Sequence, residues 1–122
     1  MTQIGNHLKM TLASAHRART RELYGDVLGC RVLESPRPEL DLFEFEGGFV
    51  LGIFYVANEP VLSDDEQLRA TWLELKTADP KALEAKLVRF GVKPVPFSDP
   101  SRFYFQAPGG PVFRVAPLDG AL

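Results

Sequence analysis

Three things are scarce in this chain, and each scarcity excludes a class of function. The single cysteine, Cys30, has no partner in its own chain, so no intramolecular disulfide holds the fold. Its position directly after Gly29 reads as a small buried filler rather than a reactive thiol, which needs an electropositive, accessible setting. No apolar run approaches the roughly 20 residues that cross a bilayer, and Met1 to Leu8 lacks the continuous apolar stretch of a signal peptide. The expected location is the cytoplasm, with no membrane partner. A basic surplus is also missing: 14 Lys and Arg stand against 16 Asp and Glu, for a formal charge of -2. With a pI near 5.7 there is no excess to neutralise phosphates, and nucleic acid is not an expected partner.

What is present is ordinary for a globular protein: 122 residues, 45% hydrophobic and 25% charged, enough for one domain with a moderate core. The informative feature is a repeat. Gly29, Gly47 and Gly48 recur 62 positions later as Gly91, Gly109 and Gly110, so the spacing of 18 between a helix-ending glycine and a double glycine is kept in both halves. An aromatic strand precedes each double glycine and an apolar strand follows it. The period is too long for a solenoid and only two copies fit, so the chain reads as two homologous modules, with function expected between them. The double glycines serve turns that other residues resist and are not phosphate loops.

Within the first module, Leu8, Met10 and Leu12 alternate with His7, Lys9 and Thr11, the period of a strand. A helix is predicted from Arg17 to Leu28, with Tyr24, Val27 and Leu28 on one side, Leu23 one place off, and Gly29 ending it. Val32 and Leu33 start a short strand, Ser35 to Glu39 form a proline-bearing loop, and Leu40 to Phe45 with Gly48 to Tyr55 form a hairpin. Residues 57 to 69 lose the pattern and gather Pro60 and three successive acids, the chemistry of a solvated linker. In the second module, Thr71, Leu73 and Leu75 alternate with Trp72, Glu74 and Lys76. Asp79 before Pro80 opens a helix that carries Leu83, Leu87 and Phe90 to Gly91. Pro94 and Pro96 put the next strand at an edge or break it. Phe103 to Gln106 and Val112 to Ala116 complete the pattern. The predicted fold is α+β, two tandem βαβββ modules closing one structure, and the resemblance described next implies that they form a curled mixed sheet around a shared cavity. Module one spans 4–57, the linker 58–69 and module two 70–117, all within a single domain over 1–122.

This arrangement, with the fragment Leu23-Tyr24-Gly25-Asp26-Val27-Leu28-Gly29 and the turn Ala107-Pro108-Gly109-Gly110, resembles the vicinal oxygen chelate superfamily of glyoxalases, extradiol dioxygenases and fosfomycin- and bleomycin-resistance proteins. The likeness runs from about His7 to Ala116. It implies modules curled about a cavity often completed by a second chain and, in the metal-dependent members, a divalent ion held by the first and last strands of each module. On the first strand that position is His7 by strand pattern, or Lys9 counted back from Tyr24. In module two it is Ala70, Thr71 or Arg69, none of them a useful ligand. On the last strands it is Gly52, which has no side chain, and Arg114, which is permanently cationic. A catalytic divalent ion usually keeps three protein ligands. The expectation is therefore no metal cofactor, with a divalent metal disfavoured. Glu74, on the polar face beside the strand of Arg114, reads as that guanidinium's partner rather than as a replacement ligand.

Two functional readings follow from the resemblance. The first is a metal-free binding protein for a small organic ligand, in the manner of the bleomycin-resistance branch, and assembled as a homodimer because strand edges and a concave sheet face call for a partner. The alternative is a glyoxalase- or dioxygenase-like enzyme with a non-standard metal or acid–base site, in which His7 and Glu74 are the catalytic candidates. Arg114, Trp72, Lys9, Phe54 and Tyr104 are the ligand-binding candidates, the first for charge and the aromatics as flat surfaces. Each has a structural counterpart: a half-exposed strand end for His7, an ion pair for Arg114 and Glu74, and core packing for the rings. His16, where strand turns into helix, reads as capping or solvent-facing.

Overall fold

The computed structural model of the chain describes residues 1–120. The chain divides into two compact units, Met1–Val61 and Leu62–Leu122. The first contains β1 (His7–Ala13), a 3₁₀ turn (Ser14–His16), α1 (Arg17–Arg21), β2 (Arg31–Leu33), β3 (Leu40–Glu44) and β4 (Val50–Val56). Its sheet has the order β1-β4-β3-β2, with β1 and β4 parallel and the other pairs antiparallel. The second contains α2 (Asp64–Gln67), β5 (Trp72–Thr77), α3 (Pro80–Phe90), β6 (Lys93–Pro94), β7 (Phe103–Gln106) and β8 (Val112–Pro117). Its sheet repeats the plan as β5-β8-β7-β6, again with only the first pair parallel. The α+β repeat expected from the glycine spacing is thus realised as two four-stranded mixed sheets, one in each module, with no closed barrel among the described residues. No helix among the described residues is long and apolar enough to cross a membrane.

In each unit the strand period separates a core face from a second face. Leu12, Phe43, Leu51 and Ile53 are fully buried in the first sheet, and Tyr24 from the helical segment stacks on Phe43 at 5.1 Å between ring centroids. In the second, Phe105, Phe113 and Val115 are buried, with Phe105 stacked on Phe113 at 5.4 Å. Each such side chain removed from water contributes about 1.5–3 kcal/mol, so these stripes are the main attraction within each unit.

The helix after β1 departs from the expected regular form. Beyond α1 the chain continues as a π-helical turn, Glu22–Val27, before Gly29 closes it at φ +74°. The residue that fell one place off the 3.6-residue period, Leu23, is fully buried beside Tyr24. Thr20, Leu23 and Tyr24, spaced i, i+3 and i+4, are all buried, so the segment presents one side to the core. The acidic segment also holds a helical turn. Ser63 accepts a hydrogen bond from the Glu66 amide, and the Glu66 carboxylate accepts one from the Ser63 amide, a reciprocal cap that starts α2. At β6 the prolines leave only Lys93–Pro94 paired, on the sheet edge.

Candidate functional site

Strand alternation puts the candidate residues on the sheet faces away from the cores. In the first sheet, Lys9 pairs across the ladder with Gly52, and Thr11 with Phe54, so His7, Lys9, Gly52 and Phe54 share one face. Gly52 is closely surrounded. A Cβ built there would lie 3.1 Å from His7 Nε2, 3.4 Å from Leu42 and 3.7 Å from Leu40. The imidazole of the exposed His7 thus approaches the α-carbon of Gly52 closely, and a side chain at position 52 would require it to shift by a few tenths of an ångström. The Lys9 ammonium lies over the Phe54 ring, 4.3 Å from its centroid, and the Arg37 guanidinium lies 5.8 Å from the same ring. Phe54 is thus a ring held beneath cations rather than a core residue.

In the second sheet, Glu74, Arg114 and Tyr104 form one row across β5, β8 and β7, and Trp72 stands in the adjacent row opposite Val112. The pairing expected between Arg114 and Glu74 is present: Arg114 Nη1 donates to Glu74 Oε2 at 2.8 Å, with both side chains largely withdrawn from water. It is a single contact, and Arg114 Nε is buried without an acceptor. Trp72 Nε1 donates to the Leu68 carbonyl at 2.7 Å, which fixes the indole plane. Its ring meets Phe97 edge-on at 5.2 Å and Tyr104 at 5.6 Å, while Phe97 and Tyr104 are 4.8 Å apart. Tyr104 is buried in this cluster, whereas Trp72 and Phe97 remain 41% and 52% exposed. Gln106, on the same face as Tyr104, is buried and donates to the Asp64 and Gly110 carbonyls.

Phe97 and Gln106 were not singled out by the sequence. Phe97 follows Pro94 and Pro96, which erase any strand period there, so its union with Trp72 had no local signal. A second group the sequence did not reveal is a charge cluster on the core side of the first sheet. Asp41 accepts two bonds from Arg21, at 2.8 and 2.9 Å, and one from Arg17 at 3.1 Å. Arg17 also lies over the Tyr55 ring and donates to the Pro38 carbonyl. Burial alone would raise the Asp41 carboxyl, but the Arg21 and Arg17 hydrogen bonds outweigh it and hold the group below the usual carboxylate range. Burial, followed by the Asp41 charge, pushes the Tyr55 phenol up. This cluster ties α1 to β3 and β4. His16 is half-buried in the turn before α1, and its side chain makes no cap hydrogen bond to that helix.

The positions at which the resemblance places metal ligands hold one imidazole, His7, one residue without a side chain, Gly52, and one guanidinium already bonded to a carboxylate, Arg114. Among the described residues no three His, Cys, Asp or Glu side chains are grouped as a metal site would require. This donor set does not fit a resident divalent ion.

With two four-stranded mixed sheets repeated in one chain, the fold is like that of solved glyoxalase-like and fosfomycin-resistance proteins. The trypanothione-dependent glyoxalase I of Leishmania major is similar over 95% of this chain and 87% of its own, with a TM-score of 0.73 at 19% identity. The fosfomycin-resistance protein FosX of Listeria monocytogenes matches 100% of this chain and 97% of its own, with a TM-score of 0.73 at 12% identity. A glyoxalase-related enzyme from Fulvimarina pelagi matches 98% and 96%, with a TM-score of 0.70 at 18% identity. No protein-family model and no curated protein matches the sequence.

Proposed function

We propose that this chain is a small-molecule binding protein of the glyoxalase and bleomycin-resistance type, acting without a catalytic metal through the sheet faces that carry His7, Lys9 and Phe54 and Trp72, Glu74, Tyr104 and Arg114. The observation that carries the reading is the Arg114–Glu74 bond, because a cation held by its own carboxylate occupies the strand position at which the resemblance implies a metal-binding acid. The names of two similar structures, a trypanothione-dependent glyoxalase and a fosfomycin-resistance protein, tie this fold to small molecules and so support the class of ligand. The enzyme reading through His7 and Glu74 is the weaker one, since Glu74 already accepts from Arg114 and a paired carboxylate is a poor general base. The assembly we propose is a homodimer, in which a second copy covers edge strands among β1, β2, β5 and β6. Light scattering that finds a monomer at micromolar concentration would overturn that part.

The binding reading is tested by thermal unfolding against a panel of planar organic compounds with EDTA present. At least one compound is expected to raise Tm, with about 2.7 kcal/mol of stabilisation at a hundredfold excess over its dissociation constant. Stabilisation that appears only after a divalent metal is added contradicts the proposal.

A further inference from the structure

We infer that the second sheet's outer face takes an uncharged planar carbonyl compound, such as an aromatic amide or lactone, with its ring on Trp72 and Phe97 and its carbonyl oxygen on Arg114. The inference rests on the small-molecule reading above and narrows the ligand to one chemical class.

The aromatic surface is built for contact from outside. Trp72 is partly exposed yet its indole is pinned by the Leu68 carbonyl, and Phe97 is more exposed still. Two large rings left open to water forgo burial worth about 25 cal/mol per Å². A flat ligand recovers that burial without the cost of freezing the indole. The separations of 4.8, 5.2 and 5.6 Å among Tyr104, Phe97 and Trp72 leave no slot between rings, so this is a platform and not a cage around a cation.

The hydrogen-bond donor is Arg114, cross-strand neighbour of Tyr104. Among the described residues its one side-chain hydrogen bond goes from Nη1 to Glu74, and with Nε buried it is the remaining terminal N–H groups that are left for a ligand acceptor. Charge then separates an uncharged carbonyl from an acid. Glu74 is bonded to Arg114 at 2.8 Å, so this guanidinium's charge is already balanced by a carboxylate. A ligand carboxylate would lose its hydration here and meet no unmatched positive charge, whereas a neutral carbonyl needs only the spare N–H groups.

Trp72 is the chain's only tryptophan, so its indole N–H gives one assigned reporter in a ¹H–¹⁵N spectrum. The test is titration of the full chain with 2-naphthamide and, separately, 2-naphthoate, with EDTA present. The amide is expected to shift the Trp72 indole resonance saturably and to bind about tenfold more tightly than the acid, a difference of about 1.4 kcal/mol. Because Arg114→Gln alone strands the Glu74 carboxylate, the variant used is the neutral double exchange Arg114→Gln with Glu74→Gln, which should weaken the amide about tenfold while the acid stays weak. Tighter binding of the acid, an indole resonance unmoved by the amide up to its solubility limit, or an unchanged affinity in the double variant each overturns the inference. Shifts confined to residues around His7 and Phe54 would refute this site and leave the small-molecule reading standing.

Discussion

Asp41 is 5% exposed and still carries its charge, because Arg21 and Arg17 supply three hydrogen bonds that outweigh the cost of burial. Asp41→Asn keeps the size but loses the charge, and is expected to cost about 2 kcal/mol in urea unfolding at pH 7, discounted because Arg21 is half in water. The pH dependence has a definite sign. The folded carboxyl is lowered, so its stabilisation is complete above the unfolded value near 3.9 and is lost as pH falls through the lower folded value. The wild type should therefore lose part of its margin over Asp41→Asn on going from pH 7 to pH 3. A gap between the two proteins that does not shrink would show that the arginines contribute nothing. Cys30 gives a second prediction at this scale. Burial pushes its thiol up to about 12, so it should resist a thiol reagent at pH 8 and react at once in denaturant. The buried filler was legible from its place beside Gly29. The Asp41 cluster was not, because a carboxylate in strand alternation looks the same facing water or two arginines, and those arginines lie 20 and 24 residues away in sequence.

Among the elements, α3 was the most legible, since its start and stop are written in local chemistry. Asp79 Oδ1 accepts from the Ala82 amide at 3.1 Å, Pro80 opens the helix, and Gly91 closes it at φ +96°. Asp79→Ala is expected to lower stability by about 1 kcal/mol, and Gly91→Ala by about 1–2 kcal/mol, as read by thermal unfolding. No loss in either would mean that α3 is held by Leu83, Leu87 and Phe90 alone. The helix from Arg17 was legible in extent and not in form, because the spacing of its apolar residues carries no mark of a π turn over Glu22–Val27. The acidic turn Asp64–Gln67 was hidden for another reason: its charge pattern suggests solvated chain, while its reciprocal cap at Ser63 and Glu66 depends on only two side chains.

At the scale of the molecule, the doubled glycine spacing predicted two βαβββ modules, and both sheets have the matching strand order. The same period placed His7, Lys9 and Phe54 on one sheet face and Trp72, Glu74, Tyr104 and Arg114 on another, because a strand's period of two fixes the side of every residue once one is known. Contacts set by loops were out of reach, Phe97 among them. We propose that the chain works without a divalent ion, with His7 close to Gly52 and Arg114 bonded to Glu74. Elemental analysis of the protein purified without chelator tests it most directly. The expected result is far less than one equivalent of any divalent metal per chain, removable by EDTA without loss of Tm. A content near one equivalent per chain, with a fall in Tm on its removal, would contradict the claim.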